Sequence, residues 1–74
     1  MKTPIPNKLK EYRKKSRLTQ TEVAQRLGFC SAERISFWEQ GKRLPSITNL
    51  FRLSKIYNTL PNDLYPDFTN DINK

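Results

Sequence analysis

The stretch Thr19–Lys42, TQTEVAQRLGFCSAERISFWEQGK, decides the fold. It reads as two short helices joined by a tight turn. Thr19-Gln20-Thr21-Glu22 opens the first helix. A Thr at the cap accepts from the N–H three residues on, and Glu22 reaches back to the cap's own N–H. Val23, Ala24 and Leu27 then recur at the helical period and make one face apolar. Gly28 stands where a helix ends in a left-handed residue that only glycine adopts cheaply. The second helix begins after Ser31, a good N-cap, buries Ile35 and Trp38, and closes at Gly41. Ala24 sets the geometry, because two helices crossing steeply need a small side chain at closest approach.

Outward from this helix-turn-helix the chain divides simply. Residues 1–6, Met-Lys-Thr-Pro-Ile-Pro, form a flexible, extended N-terminal arm, since Pro4 and Pro6 bias the residues before them away from helix. A first helix runs from Pro6 or Asn7 to Ser16, with Leu9 and Tyr12 inward and Lys8, Lys10, Lys14 and Lys15 on the wet side. Leu18 plugs the junction into the second helix. After a loop at Gly41–Pro45, Ser46 caps a fourth helix that runs to about Tyr57 and buries Ile47, Leu50, Leu53 and Tyr57. Ser54 permits close packing. Asn58 is a left-handed stop, and Pro61 fits the first turn of a short fifth helix carrying Leu64. The globular part is residues 7–66, and 67–74 form a tail pinned, if at all, by Phe68. The expected class is all-α, five short helices around one core.

Composition narrows the function classes. The 74 residues suffice for one domain with a small core. A single cysteine excludes an intramolecular disulfide, and with no histidine a zinc site lacks ligands, so no metal and no cofactor is expected. No apolar run approaches the ~20 residues of a membrane span. No apolar segment follows Lys2, so no secretory signal is expected, and the expected location is the cytoplasm, with the nucleoid. The net charge of +7 points to a polyanionic partner. Seven of the fourteen basic residues lie in the first 17 positions, whereas Asp63, Asp67 and Asp71 face only Lys74 after position 60. One face is therefore available to phosphates.

Leu18-Thr19-Gln20, Val23-Ala24, Leu27-Gly28, Ile35-Ser36 and Glu39-x-Gly41-Lys42-x-x-Pro45-Ser46 together resemble the Cro and phage-repressor (XRE-like) family of helix-turn-helix DNA-binding proteins. The likeness extends through Leu50, Leu53 and Leu64 and covers roughly residues 7–65. It implies a lambda-repressor-like domain whose third helix enters the major groove of a double-stranded operator. Carried over by position, Ala32, Glu33, Arg34 and Phe37 would meet base edges. Arg34 suits the N7 and O6 of guanine, Glu33 the amino group of cytosine, and Ala32 and Phe37 the thymine methyl. Phe37 either faces DNA or supplements the core. Gln20, Ser31, Ser36, Lys42 and Arg43 are the phosphate candidates. Arg13 and Glu39 would form a partly buried ion pair linking the first helix to the end of the third, and Arg13 also counts as a phosphate candidate. Phe51 and Ile56 form either a dimer contact or additional core. Cys30 reads as a half-buried structural thiol rather than a redox switch.

The family pattern breaks once. Six residues separate Gly28 from Ile35, one more than usual. The extra residue lengthens the turn or starts the helix early; Ser31 as cap favours the turn. The function expected is a sequence-specific, double-stranded DNA-binding transcriptional regulator of repressor type, acting as a weak homodimer or as a dimer formed on DNA. No small-molecule ligand is evident. The rival class is a protein-interaction module on the same fold, of antitoxin or anti-repressor type. An enzyme is not expected: there is no histidine, and no motif places a carboxylate pair.

Overall fold

The computed structural model describes residues 4–67. Within them the chain forms α1 (Leu9–Lys15), α2 (Gln20–Leu27), α3 (Glu33–Gln40), α4 (Ile47–Ile56) and α5 (Pro61–Leu64), with no strand. Helix α2 packs on α3 and α4, α1 packs on α3, and α5 packs on α4. The class is all-α, with five helices around one core.

Helix starts follow local chemistry. Thr19 Oγ1 accepts from the Glu22 N–H at 3.1 Å while Glu22 Oε1 accepts from the Thr19 N–H at 2.9 Å, closing the capping box on α2. The Thr19 backbone N–H, and then its side chain, hold the Glu22 carboxyl below its usual pKa. The box therefore contributes above the carboxylate range and is lost as pH falls through it. Ser46 Oγ accepts from the Asn49 N–H at 3.2 Å to cap α4, and Pro61 occupies the first turn of α5.

All four longer helices stop in the same way. At each end two amide N–H groups turn back on the last carbonyls, the outer one bonding five residues back and the inner one three: Leu18 and Arg17 after α1, Phe29 and Gly28 after α2, Lys42 and Gly41 after α3, Thr59 and Asn58 after α4. The geometry needs a left-handed residue, with φ of 60° at Arg17, 83° at Gly28, 78° at Gly41 and 52° at Asn58. Gly28, Gly41 and Asn58 are residues that take this conformation at low cost. Arg17 is not, and nothing in its identity announces the stop.

The core consists of Leu9, Val23, Ala24, Leu27, Ile35, Trp38, Leu53, Tyr57, Leu64 and Tyr65, with Tyr12, Leu18 and Leu50 packed on it. Two expectations need correction. Ile47 was expected inside but is 75% exposed: it is the first residue of α4, and the buried face of that helix is formed further on, at Leu53 and Ser54. Tyr65, just past α5, is buried although no periodic pattern includes it.

The start of the chain also differs from expectation. Helix α1 begins at Leu9 rather than at Pro6 or Asn7, because Asn7 is committed elsewhere. Its Oδ1 accepts from the Leu9 N–H at 3.1 Å, and its Nδ2 donates to the carbonyls of Trp38 and Glu39 at 3.1 and 3.4 Å. The Ile5 N–H donates to the Gly41 carbonyl at 2.8 Å, and Ile5 packs against the core. The inner end of the expected arm is thus docked on the end of α3. Residues 1–3 and Phe68 lie outside the described residues.

These stops generate a graded series. Gly28→Ala meets open space and only the left-handed φ, so it should cost about 1 kcal/mol in urea unfolding. Gly41→Ala brings a Cβ to 2.6 Å from the Ile5 backbone as well, and should cost clearly more. In the opposite direction, Arg17→Gly relieves a left-handed side chain and should raise the urea midpoint, by about 0.5–1 kcal/mol of stability. Equal losses for the two glycine variants would mean that the docked segment exerts no constraint.

Candidate nucleic-acid interface

The far end of α3 is fixed by a buried charge cluster. Arg13, on α1, donates from Nε to Glu39 Oε2 at 2.6 Å and from Nη2 to Oε1 at 3.2 Å, while Nη1 donates to the Leu18 carbonyl at 2.9 Å. Gln20 Nε2, at the start of α2, donates to the same Glu39 carboxylate at 3.0 Å. The side chains of Arg13 and Glu39 are 11% and 4% exposed. The bonds to Glu39 and its charge together raise the Arg13 pKa further, against the effect of burial. Tyr57, buried at the end of α4, is close enough to feel both charges: burial raises its phenol most, the Glu39 charge adds to this, and Arg13 opposes. Removing one member of a pair this enclosed leaves the other charge uncompensated, at a cost of about 3–5 kcal/mol.

The near end of α3 is open. Glu33 and Arg34 are exposed and Phe37 is half-buried outside the core cluster. Together with Arg43 and Asn49 they line a shallow groove of about 430 Å³ between α3 and the loop leading to α4. Lys42 Nζ lies 5.9 Å from the Phe37 ring centre and Arg34 Cζ lies 4.8 Å from that of Phe29. Phe29 in turn meets Trp38 edge-on, with centroids 5.9 Å apart and planes at 70°. Helix α3 therefore presents a carboxylate, a guanidinium and an aromatic ring in a row, flanked by two cations at its exit.

Several candidate residues sit differently from expectation. Ser31 is not the N-cap of α3: Ala32 occupies that position, and Ser31 Oγ receives only a long contact from the Glu33 N–H, at 3.4 Å. The turn holds four residues, Phe29 to Ala32, after the α2 stop, so the helix starts one place later than the Ser31 cap implied. Ala32 is half-buried and packed on the core, unlike its exposed neighbours Glu33 and Arg34. Arg13 is largely enclosed, with three of its N–H groups committed to Glu39 and Leu18. Gln20 directs one N–H to Glu39 and retains a second. Ser36 Oγ accepts from Gln40 at 2.6 Å and keeps its own O–H. Lys42 and Arg43 are exposed. Phe51 is 56% exposed on α4, whereas Ile56 is half-buried and packed on the core, so those two do not share one surface. Cys30 is exposed rather than half-buried.

Sequence reasoning missed three residues that shape this surface. Asn7 ties down the last carbonyls of α3 from 31 and 32 positions away. Arg52 donates to the Leu27 carbonyl at 3.1 Å and steadies the end of α2, where the helix dipole favours a cation. Phe29 carries Arg34. An Asn directly after a Pro and just before a helix is the one local signal available, for Asn7 alone.

Comparison with known proteins agrees with this geometry. A family model described as Helix-turn-helix matches residues 9–64. Two proteins of Archaeoglobus fulgidus, each named an uncharacterized HTH-type transcriptional regulator, are 34% and 33% identical over 58 residues, covering 78% of this chain and 80% and 81% of their own lengths. No solved structure matches the chain significantly. On the strength of the matched model and of the two relatives, the chain belongs to the XRE-like helix-turn-helix family, a family of DNA-binding transcription regulators.

Proposed function

We propose that the protein is a sequence-specific, double-stranded DNA-binding transcriptional regulator of repressor type, which inserts α3 into the major groove of an operator. One observation carries the reading. Glu33, Arg34 and Phe37 line a single open groove together with Arg43, on a helix whose other end is locked by Arg13, Asn7 and Gln20. A reading head needs this combination, since base contacts discriminate only when their carrier cannot tilt. Arg34 is the guanine reader, Glu33 the cytosine acceptor and Phe37 the contact to a thymine methyl. Lys42, Arg43 and the free N–H of Gln20, with the hydroxyls of Ser31 and Ser36, hold phosphates and set register. No cofactor enters this scheme, and its place of action is the nucleoid.

Operators of this family suit two-fold dimers, and Phe51 is the dimer contact in this reading. Ile47, four residues earlier and also exposed, shares its side of α4. Ile56 is left out because it belongs to the core.

Selection of binding sites from a random duplex pool, followed by salt titration, tests the central reading. The expected winner is palindromic, with half-sites ~34 Å apart, and is bound at least ~10³-fold more tightly than a scrambled duplex. Equal binding of both duplexes, vanishing steeply with salt, would reduce the interaction to charge alone. Negligible binding to any duplex would favour the protein-interaction module instead. Phe51→Glu should abolish cooperative binding to the full palindrome while leaving affinity for an isolated half-site within about two-fold, as read by gel shift. Undiminished cooperativity would move the dimer contact elsewhere.

A further inference from the structure

The additional turn residue that breaks the family spacing has a consequence at the reading surface. Phe29 follows the left-handed Gly28, and its N–H is bonded to the Ala24 carbonyl at 2.9 Å, so its backbone is fixed by the α2 stop. Its ring is fixed as well, edge-on to the buried Trp38 and packed against the core. What remains of the ring is a π-face directed at Arg34, whose Cζ stands 4.8 Å from the centroid. Trp38 lies one helical turn after Arg34, so the ring is held at its contact with the indole while its face meets the guanidinium.

The chemistry of the contact matters more than its strength. A carboxylate would orient the guanidinium by occupying its N–H groups, the same groups needed to read a base. An aromatic face holds the guanidinium through its π-surface and leaves the in-plane donors unused. Among the described residues Arg34 makes neither an ion pair nor a hydrogen bond. Glu33 is its chain neighbour but does not pair with it.

We propose that Phe29 is a specificity-determining positioning residue: it pre-orients the Arg34 guanidinium, without consuming its donors, for bidentate bonding to a guanine. This rests on the base-reading role given to Arg34 above. The four-residue turn is then part of the recognition apparatus, because it sets the ring between Trp38 and Arg34. Pre-orientation removes side-chain freedom before binding, so it acts on discrimination at one base pair rather than on overall affinity.

The test uses the selected duplex and the set of its single base-pair variants, with dissociation constants measured for the wild type, Arg34→Ala, Phe29→Leu, the double variant, and a chain carrying pentafluorophenylalanine in place of Phe29. The fluorinated ring keeps the shape of the original and inverts its quadrupole, so it removes the cation–π attraction while preserving the packing. The base pair at which Arg34→Ala loses discrimination identifies the contact. At that pair alone, Phe29→Leu and the fluorinated chain should lose about two- to five-fold in discrimination, the range expected of one exposed cation–π contact. The Arg34→Ala background should show no further loss on changing Phe29. Full discrimination in the fluorinated chain overturns the proposal, as does a loss spread evenly over all base pairs, which marks a structural role of the turn. Should Phe29→Leu fail to fold, the fluorinated chain decides. An Arg34→Ala protein that discriminates as well as wild type at every base pair overturns the base-reading role itself, a result distinct from failure at Phe29 only.

Discussion

The structure depends on one buried ion pair. Arg13 comes from α1 and Glu39 from the last turn of α3, and Gln20 joins them from the first turn of α2. The Leu18 carbonyl takes the remaining direction of the guanidinium. Apolar contacts between helices tolerate sliding by a fraction of an ångström, since burial depends on area rather than on angle. A desolvated carboxylate facing a guanidinium does not, because its compensation requires short bonds in fixed directions. Three helices are therefore referenced to one point, and the direction of α3 follows from it. Asn7 acts on the same helix end, adding a donor to the Trp38 carbonyl, which already accepts from the Gly41 N–H, and reaching the Glu39 carbonyl beside it.

The division between the two ends of α3 matches a division of labour. At Glu39 the polar groups are enclosed and mutually satisfied; at Glu33 and Arg34 they are open to solvent. A helix rigid at both ends would have nothing left to offer a ligand, and one free at both ends would lose its bearing. The two cations after Gly41 extend the open surface along the chain; neither forms an ion pair among the described residues, and the Lys42 ammonium lies near the Phe37 ring.

How much of this was legible in the sequence depends on the range of each interaction. The Thr19–Glu22 box, the Ser46 cap, Pro61, and the stops at Gly28, Gly41 and Asn58 all rest on bonds within a few residues, and each was readable from residue type and spacing. The stop at Arg17 was not, because an ordinary side chain takes the left-handed position there. Ser31 misled for a related reason. It is the better capping residue, yet Phe29 is held by the α2 stop and by its packing on Trp38, and the turn that leaves it gives the cap position to Ala32. Ile47 fits the helical period of α4 but lies outside the footprint of its neighbours, which periodicity does not encode. The bonds from Asn7 to the end of α3 and from Gln20 to Glu39 span 19 residues or more, so no local pattern names their partners.

The uniform stops have a kinetic consequence. None of the five helices exceeds ten residues, since each of the first four is cut off within two to three turns by a reversed pair of amide bonds. Segments shorter than about 12–15 residues are marginal as isolated helices in water, so none of these can persist before the others are in place. Of the four main helix contacts, α2 with α3 and α4 with α5 join successive helices, while α1 with α3 and α2 with α4 skip only one; partners this near in sequence shorten the search for the native arrangement. No helix is thus stable ahead of the packing that holds it, which is the condition under which a small domain folds and unfolds as one cooperative unit.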